Sequence, residues 1–141
     1  MVKNLIDVAK REGMEEIYIS ALIRKNTQIL LIGEQLQTKT IYRFPTAEVI
    51  EGESIPAALQ RAITEETGMR LKTVISYLGH YDLEIEGKKV RYYHFVTEVV
   101  DPYSIESNNR FSYAWLEVQE AVGHPISDQL REMLDQYSRI T

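Results

Sequence analysis

The stretch that decides the fold is AEVIEGESIPAALQRAITEETGM, which occupies residues 47–69. Its second half has the pattern of an amphipathic helix, because apolar residues recur on one helical face at positions 55, 58, 59, 62 and 63. Ser54 is a favourable N-cap, and Pro56 lies in the first turn, where its missing N–H costs little. Gly68 is a typical C-terminal stop. The sequence therefore predicts a helix over residues 55–67.

Two adjacent acids, Glu65 and Glu66, occupy the last turn of this predicted helix. The C-terminal end of a helix carries partial negative charge, so each acid there costs about 0.3–1 kcal/mol. A divalent cation favours such a position, because Mg²⁺ is a hard ion that takes carboxylate oxygens and substrate phosphates. The loop before the helix adds three more acids, Glu48, Glu51 and Glu53. A solvated acidic helix end is the simpler alternative, and an isolated Glu-Glu pair favours that alternative.

The spacing of these residues resembles the signature of a known family. The Nudix pattern is G-x5-E-x7-R-E-U-x-E-E-x-G-U, where U is a bulky aliphatic residue. On this chain the matching positions are Glu53, Arg61, Ile63, Glu65, Glu66, Gly68 and Met69. Residues 43–45 also resemble the family's approach to this box, and residues 115–121 resemble its Trp segment before a helix. The resemblance to Nudix hydrolases spans about residues 15–140.

Two positions depart from the pattern, since Ala47 replaces the opening glycine and Ala62 replaces the first glutamate of R-E-U-x-E-E. The glycine position is chiefly a backbone position, so the Ala47 carbonyl is still expected to face a metal. Position 62 matters more, because it lies four residues before Glu66 on one helical stripe. In the family, glutamates at these two places jointly hold metal or position the attacking water. The sequence does not choose a replacement acid among Glu48, Glu51, Asp101 and Glu106.

The resemblance implies a hydrolase that cleaves a pyrophosphate bond in a nucleoside diphosphate-linked small molecule, with Mg²⁺ or Mn²⁺ as cofactor. Carried over residue by residue, it implies metal ligation by Glu65, Glu66 and the Ala47 carbonyl. Glu53 and Arg61 would brace the loop against the helix, and both join Glu65 and Glu66 in the predicted catalytic set. One alternative is a Nudix-fold protein that has lost hydrolysis and binds a nucleotide-like ligand or a partner. An unrelated acidic α/β domain is disfavoured by the spacing match.

Residues outside the box supply the predicted substrate contacts. Arg43 is the best placed arginine for a substrate phosphate, because it adjoins the box. Tyr42 is the neighbouring candidate for stacking on a nucleobase. Other tyrosines share that chemistry, although strand propensity alone also explains them: Tyr81, Tyr92 and Tyr93. The histidines lack metal-ligand spacing and are predicted to be surface or sheet residues: His80, His94 and His124.

Composition limits the remaining classes of function. The chain has 141 residues, which predicts a single domain over 1–141. It has no cysteine, which excludes disulfides, thiolate metal sites and cysteine nucleophiles. The net charge is -5 and no basic stripe is present, so we expect no nucleic-acid partner. The apolar runs are too short to span a membrane and no signal-peptide pattern is present, so we expect a cytoplasmic protein.

The rest of the chain alternates between strand and turn patterns. Strands are predicted over residues 16–24, 27–33, 71–82, 90–99 and 112–116, whereas residues 34–42 are expected to be irregular and 44–54 a loop. Further helical segments are predicted at about 3–12, 118–122 and 127–140. The predicted fold class is α/β (α+β), a Nudix fold with a mixed β-sheet sandwiched between helices. The N-terminal helix either mediates a homodimer, acts as a lid, or simply caps the sheet.

Overall fold

Helices and strands alternate along the computed structural model, which describes residues 4–106 and 109–141. The described helices are α1 (Leu5–Arg11), α2 (Ile55–Thr67), α3 (Val118–Val122) and α4 (Asp128–Ile140). The described strands are β1 (Glu16–Lys25), β2 (Gln28–Leu36), β3 (Lys39–Arg43), β4 (Thr46–Glu48), β5 (Leu71–Ile85), β6 (Lys88–Val99) and β7 (Phe111–Glu117). The start of the predicted N-terminal helix at residue 3 and part of the predicted loop at 101–109 lie outside the described residues.

Helix α2 forms over the residues that its sequence predicts. The Ser54 hydroxyl accepts a hydrogen bond from the Ala57 N–H at 3.3 Å, which satisfies one of the free donors of the first turn. Gly68 ends the helix in the left-handed region at φ 76°, where a side chain would be strained. The predicted apolar face is buried, and it includes Ala62 at 0% exposure. The helix prediction is therefore confirmed, and its last turn is fixed relative to the sheet.

The strands form one mixed sheet. Its main path has the order β3-β2-β1-β6-β5, while β4 pairs with β1 and β7 pairs with β2. Strands β1 and β6 are parallel from Glu16↔Val90 to Ile23↔Thr97, and the other pairs are antiparallel. Since β1 lies between β4 and β6 over this part, residues from three distant segments of the chain meet in single rows across the sheet.

Two apolar cores lie on opposite faces of the sheet. One core combines α1 and α2 with residues of β1 such as Ile19 and Ile23. The other combines α3 and α4 with the alternate residues of the same strands, such as Leu22 and Leu31. The predicted fold class, a mixed sheet between helices, is confirmed. Within residues 4–106 and 109–141, no helix has the length and apolar character needed to cross a membrane.

The prediction that residues 34–42 are irregular is wrong. Strand β2 continues to Leu36, and β3 pairs with it in antiparallel register from Leu36↔Lys39 to Ile32↔Arg43. The turn between them places Gln37 at φ 55° rather than using a glycine, so the usual turn signal is missing. Strand β3 is also an edge strand with polar residues, which lack the apolar run of a central strand. The predicted loop at 44–54 likewise contains the short strand β4.

Candidate functional site

The loop that precedes α2 is fixed to the helix by one ion pair. Arg61 donates from Nε to Glu53 Oε2 at 3.0 Å and from Nη2 to Glu53 Oε1 at 2.9 Å. Glu53 Oε1 also accepts the Ile50 N–H at 3.0 Å, and Arg61 donates to the Glu48 carbonyl. The hydrogen bonds from Arg61 lower the pKa of Glu53, which keeps this carboxylate charged. The predicted contact between Glu53 and Arg61 is present, and it sets the loop against the helix.

Glu66 makes a second ion pair, with Arg43 at the end of β3. Arg43 donates from Nη1 to Glu66 Oε1 at 2.9 Å and from Nη2 to Oε2 at 2.8 Å. The Thr46 N–H donates to the same Oε1 at 2.8 Å. The Glu66 side chain is only 9% exposed, whereas that of Arg43 is 29% exposed. This bidentate pair joins β3 to the last turn of α2. The guanidinium therefore lies at Glu66, where the sequence predicts a metal ion.

The residues present do not fit a divalent-cation site in this arrangement. Both carboxylate oxygens of Glu66 accept hydrogen bonds from Arg43 in this arrangement, and the metal ligation by Glu66 that the sequence implies stays a prediction. Glu65 is exposed and lies 3.8 Å from Arg61, and Ala62 has no side-chain oxygen. Within residues 4–106 and 109–141, no group of three or more His, Asp or Glu side chains is placed to hold a metal ion. The charge of the buried acid Glu66 is already neutralised by the guanidinium of Arg43, which reduces its attraction for a cation.

A cavity of about 510 Å³ opens beside this pair. One wall is a row of three tyrosines that are direct partners across neighbouring strands, Tyr18 on β1, Tyr92 on β6 and Tyr81 on β5. The ring centroids of Tyr18 and Tyr92 are 4.8 Å apart, and those of Tyr92 and Tyr81 are 5.2 Å apart, with nearly parallel planes. Burial raises the pKa of Tyr18 and of Tyr81 to about 12, so both phenols are neutral. The wall therefore offers aromatic surface without negative charge.

His94 lies in the next row of the sheet at the floor of this cavity. It is 1% exposed, and neither ring nitrogen has a hydrogen-bond partner within the described part of the chain. The Tyr81 ring lies 5.1 Å away at a tilt of 30°, and the Phe44 ring meets it edge-on at 6.2 Å. Burial, with a smaller contribution from His80, lowers the pKa of His94 to about 4. The imidazole is therefore neutral at pH 7 and resembles a core residue rather than a cationic ligand contact.

A second, more polar groove of about 550 Å³ adjoins the tyrosine-lined cavity. It runs along the loop before α2 and contains Glu65, Glu51 and Arg61. The residues that line both spaces mark the junction between them: Thr46, Ala47, Glu48, Glu66 and Arg110. An aromatic compartment and an acidic groove therefore meet at the Arg43–Glu66 pair.

The structure separates the substrate contacts that the sequence predicts. Arg43 and Tyr42 both line the tyrosine-lined cavity, and Tyr42 meets the His124 ring edge-on at 4.9 Å. Tyr93 instead is 1% exposed and donates to the Leu5 carbonyl at 2.7 Å, which anchors α1 to the sheet. Arg91 is also buried, and its guanidinium pairs with Asp82 and Glu12. Neither Tyr93 nor Arg91 is therefore placed to contact a ligand.

The cavity also contains side chains that the sequence did not predict as site residues, and Tyr18 and Arg110 are two of them. Tyr18 reaches it through the parallel pairing of β1 with β6, which links segments more than 70 positions apart. Arg110 lies just before β7, and its guanidinium lies 4.5 Å from the Phe111 ring centroid. Its positive charge close to the Trp segment is the sequence signal that points to it.

The acids that the sequence left open as replacements occupy different places. Glu48 lines both the cavity and the groove, and Glu51 lines the groove only. Glu106 lies against the end of α2, where its N–H donates to the Thr67 carbonyl at 2.9 Å. The Asp101 carboxylate instead accepts the Tyr103 N–H at 2.9 Å. Glu48 is thus the acid of this set that shares both spaces with Glu66.

Comparison with known proteins identifies the family and the fold of the chain. The family model described as NUDIX domain matches residues 14–137. Among curated proteins, no match reaches significance. The solution structure of the E. coli ORF135 protein is similar at 22% identity over 92% of this chain and 93% of that chain, with a TM-score of 0.77.

Two further solved structures show the same fold. A MutT protein from Methanosarcina mazei Go1 is 22% identical over 91% of this chain and 96% of that chain, with a TM-score of 0.74. A C. elegans Ap4A hydrolase in a binary complex is 16% identical over 89% of this chain and 96% of that chain, with a TM-score of 0.73. At such identities these likenesses establish the fold of the chain.

Proposed function

Since the chain belongs to the Nudix family, we propose that it hydrolyses a diphosphate linkage in a nucleotide-like small molecule. The observation that carries the proposal is the junction at Arg43 and Glu66, where the tyrosine-lined cavity meets the acidic groove. The tyrosine-lined cavity suits an aromatic ring system. A phosphate chain attached to that ring system would reach the box residues in the acidic groove. The fold alone does not choose a substrate, so the proposal rests on these side chains.

The dimensions and chemistry of the cavity suit one nucleoside unit. A volume of about 510 Å³ lies within the usual range of small-molecule sites, which is roughly 300–1,000 Å³. Stacking of a base on an aromatic side chain contributes about 1–3 kcal/mol by alanine substitution and tolerates different bases. Tyr92 lies at the centre of the tyrosine row and stacks with both of the other rings. We therefore expect Tyr92→Ala to weaken ligand binding by about tenfold or more.

The phosphate end of the ligand is assigned to the junction. Arg43 presents a planar guanidinium there, and Arg110 lines both spaces beside it. Arginine is the residue best suited to bidentate recognition of phosphate oxygens. Glu48 is the acid best placed to accept a proton from an attacking water, because it lines the cavity and the groove together with Glu66. Glu53 and Arg61 hold the loop that carries Glu48, since Arg61 binds the Glu48 carbonyl.

A second candidate function is ligand binding without hydrolysis. Two observations favour it: Ala62 has no side-chain oxygen, and Arg43 engages both oxygens of Glu66. In that case the same cavity takes the same class of ligand, and the box remains as a structural element. The predicted Mg²⁺ or Mn²⁺ requirement belongs to the hydrolase proposal alone.

The two candidates are separated by measuring binding and turnover on the same compounds. Purified protein would be incubated with nucleoside triphosphates, ADP-ribose, nucleotide sugars and dinucleoside polyphosphates such as Ap4A, in Mg²⁺, in Mn²⁺ and in chelator. The hydrolase proposal predicts turnover of at least one compound and a large loss of turnover in Glu48→Gln. Glu51→Gln is the matched control, since Glu51 lines the groove but not the cavity. Binding that Tyr92→Ala weakens, with no turnover of any compound, would instead favour the binding protein.

A further inference from the structure

The Arg43–Glu66 pair is held in place by more than its own two hydrogen bonds. Arg43 Nη1 also donates to its neighbour, the Phe44 carbonyl, at 3.1 Å, and Nη2 lies 3.4 Å from Glu34 Oε1. The Tyr113 hydroxyl donates to the Glu66 carbonyl at 2.6 Å, which fixes the helix end that carries this acid. The Arg43 guanidinium is therefore held at Glu66 by contacts with β2, with α2 and with the residue that follows β3.

A metal ion would compete with Arg43 for this carboxylate. Each Glu66 oxygen already accepts a charged donor within 3 Å, and Oε1 accepts the Thr46 N–H as well. A divalent ion takes carboxylate oxygens at about 2.0–2.1 Å for Mg²⁺, which would bring its two charges into close contact with the guanidinium. Arginine also remains protonated at any ordinary pH, so it cannot yield by losing its charge. Its charge therefore opposes an ion at Glu66 for as long as the guanidinium stays in place.

We infer that Arg43 is the resident cation of Glu66 and excludes divalent metal from this acid in the ligand-free protein. The inference concerns the regulation of the proposed active site, but it does not depend on turnover. Arg43 thereby has a role in addition to the substrate contact that the sequence predicts, because its guanidinium lowers the metal affinity of Glu66. By thermodynamic linkage, whatever draws Arg43 away from Glu66 raises that affinity.

Equilibrium Mn²⁺ binding tests the competition directly, without any substrate. The free Mn²⁺ signal in electron paramagnetic resonance would be titrated with wild-type protein, Glu66→Gln, Arg43→Gln and the double variant. In the wild type, Glu66→Gln should change the Mn²⁺ dissociation constant by less than twofold, because Glu66 is not a ligand there. In the Arg43→Gln background, the same change should weaken Mn²⁺ binding by tenfold or more, since the released carboxylate is then a ligand.

Two controls separate the effect from general electrostatics and from unfolding. Arg24→Gln removes the same charge from another ion pair, with Glu98, and should leave Mn²⁺ binding within twofold of the wild type. The wild-type protein itself supplies a measurement that needs no variant, the amide resonance of Thr46, which is bonded to Glu66. Diamagnetic Mg²⁺, at concentrations that shift the amide resonance of the exposed Glu65, should leave the Thr46 amide resonance unshifted.

Either of two results would overturn the inference. If Glu66→Gln weakens Mn²⁺ binding tenfold in the presence of Arg43, or if Mg²⁺ shifts the Thr46 amide resonance before that of Glu65, then Glu66 ligates metal despite the arginine. If folded Arg43→Gln shows no gain in Mn²⁺ affinity that depends on Glu66, then Arg43 does not exclude the metal. The proposed hydrolysis is judged separately by the turnover of the compounds above, so one idea can fail while the other stands.

Discussion

Changing His94 to leucine should remove much of the acid sensitivity of this fold. His94 is 1% exposed, and neither imidazole nitrogen has a hydrogen-bond partner among residues 4–106 and 109–141. Charging this ring inside the protein is therefore unfavourable, and its pKa falls from 6.5 to about 4. In the unfolded chain the same ring is free to take a proton at its ordinary pKa. Between pH 4 and pH 6.5, the unfolded state thus binds more protons than the folded state.

The sign and size of the effect follow from proton linkage. The contribution of neutral His94 to stability is fully present above pH 6.5. It is lost as the pH falls from 6.5 towards 4, because protons then favour the unfolded chain. With pKa values of 6.5 and about 4, the loss from this one group is about 2 kcal/mol at pH 5 and approaches about 3 kcal/mol below pH 4. The lowered pKa values of Glu53 and Asp82 act at lower pH, since their unfolded values are 4.5 and 3.8. Comparison near pH 5 therefore isolates His94.

Urea unfolding near pH 7.5 and near pH 5 measures this difference. The wild type should lose about 2 kcal/mol of unfolding free energy from His94 between the two conditions, and His94→Leu should lose correspondingly less. His124→Leu is the matched control, because that ring is partly exposed and bonded to the Glu120 carbonyl. Titration of the His94 ring in the wild type by nuclear magnetic resonance gives an independent value. A wild-type pH dependence in folded His94→Leu, or a His94 ring that titrates near pH 6.5, would refute the reasoning.

Two further predictions concern the box helix. Ala62→Glu should lower the free energy of unfolding in urea by at least about 2 kcal/mol, because Ala62 is fully buried and the new carboxylate would be desolvated. A variant as stable as the wild type would show that position 62 has access to solvent or to a cation. Arg61→Gln should lower the melting temperature by a few degrees and speed proteolysis of the loop before α2, since it leaves Glu53 nearly buried without its partner. Arg139→Gln, which breaks an exposed pair with Asp135, should change neither the melting temperature nor the rate of proteolysis. An equal loss of melting temperature in both arginine variants would contradict the stabilising role of the Glu53–Arg61 pair.

Local signals account for the part of the fold that the sequence predicts. Helix α2 carries its own cap, periodicity and stop, so its ends at Ile55 and Thr67 follow from nearby residues. The Glu53–Arg61 contact is also local, because the two residues are eight positions apart across one loop and the first turns of the helix. Strand β3 has no such signal, since its turn lacks glycine and its five residues, KTIYR, include no run of apolar residues.

The contents of the site depend on pairings that sequence alone does not specify. Arg43 reaches Glu66 only because β3 takes the register that places Arg43 opposite Ile32. The tyrosine row similarly needs the parallel pairing that sets Tyr18 beside Tyr92. The sequence therefore names the acids of the box, whereas the ion-pair partner of Glu66 depends on long-range register. This is why spacing alone did not predict the ion pair between Arg43 and Glu66.

Product analysis in ¹⁸O-labelled water tests the central claim most directly. Wild-type protein would be incubated with the panel of nucleotide-like diphosphate compounds, and the products would be identified by mass spectrometry. Hydrolysis at a phosphorus predicts that one phosphate-bearing product carries a single ¹⁸O, and that Glu48→Gln removes this product while Glu51→Gln retains it. Unchanged substrates across the panel, at protein concentrations where binding to the tyrosine-lined cavity is saturated, would contradict the account of this chain as a hydrolase.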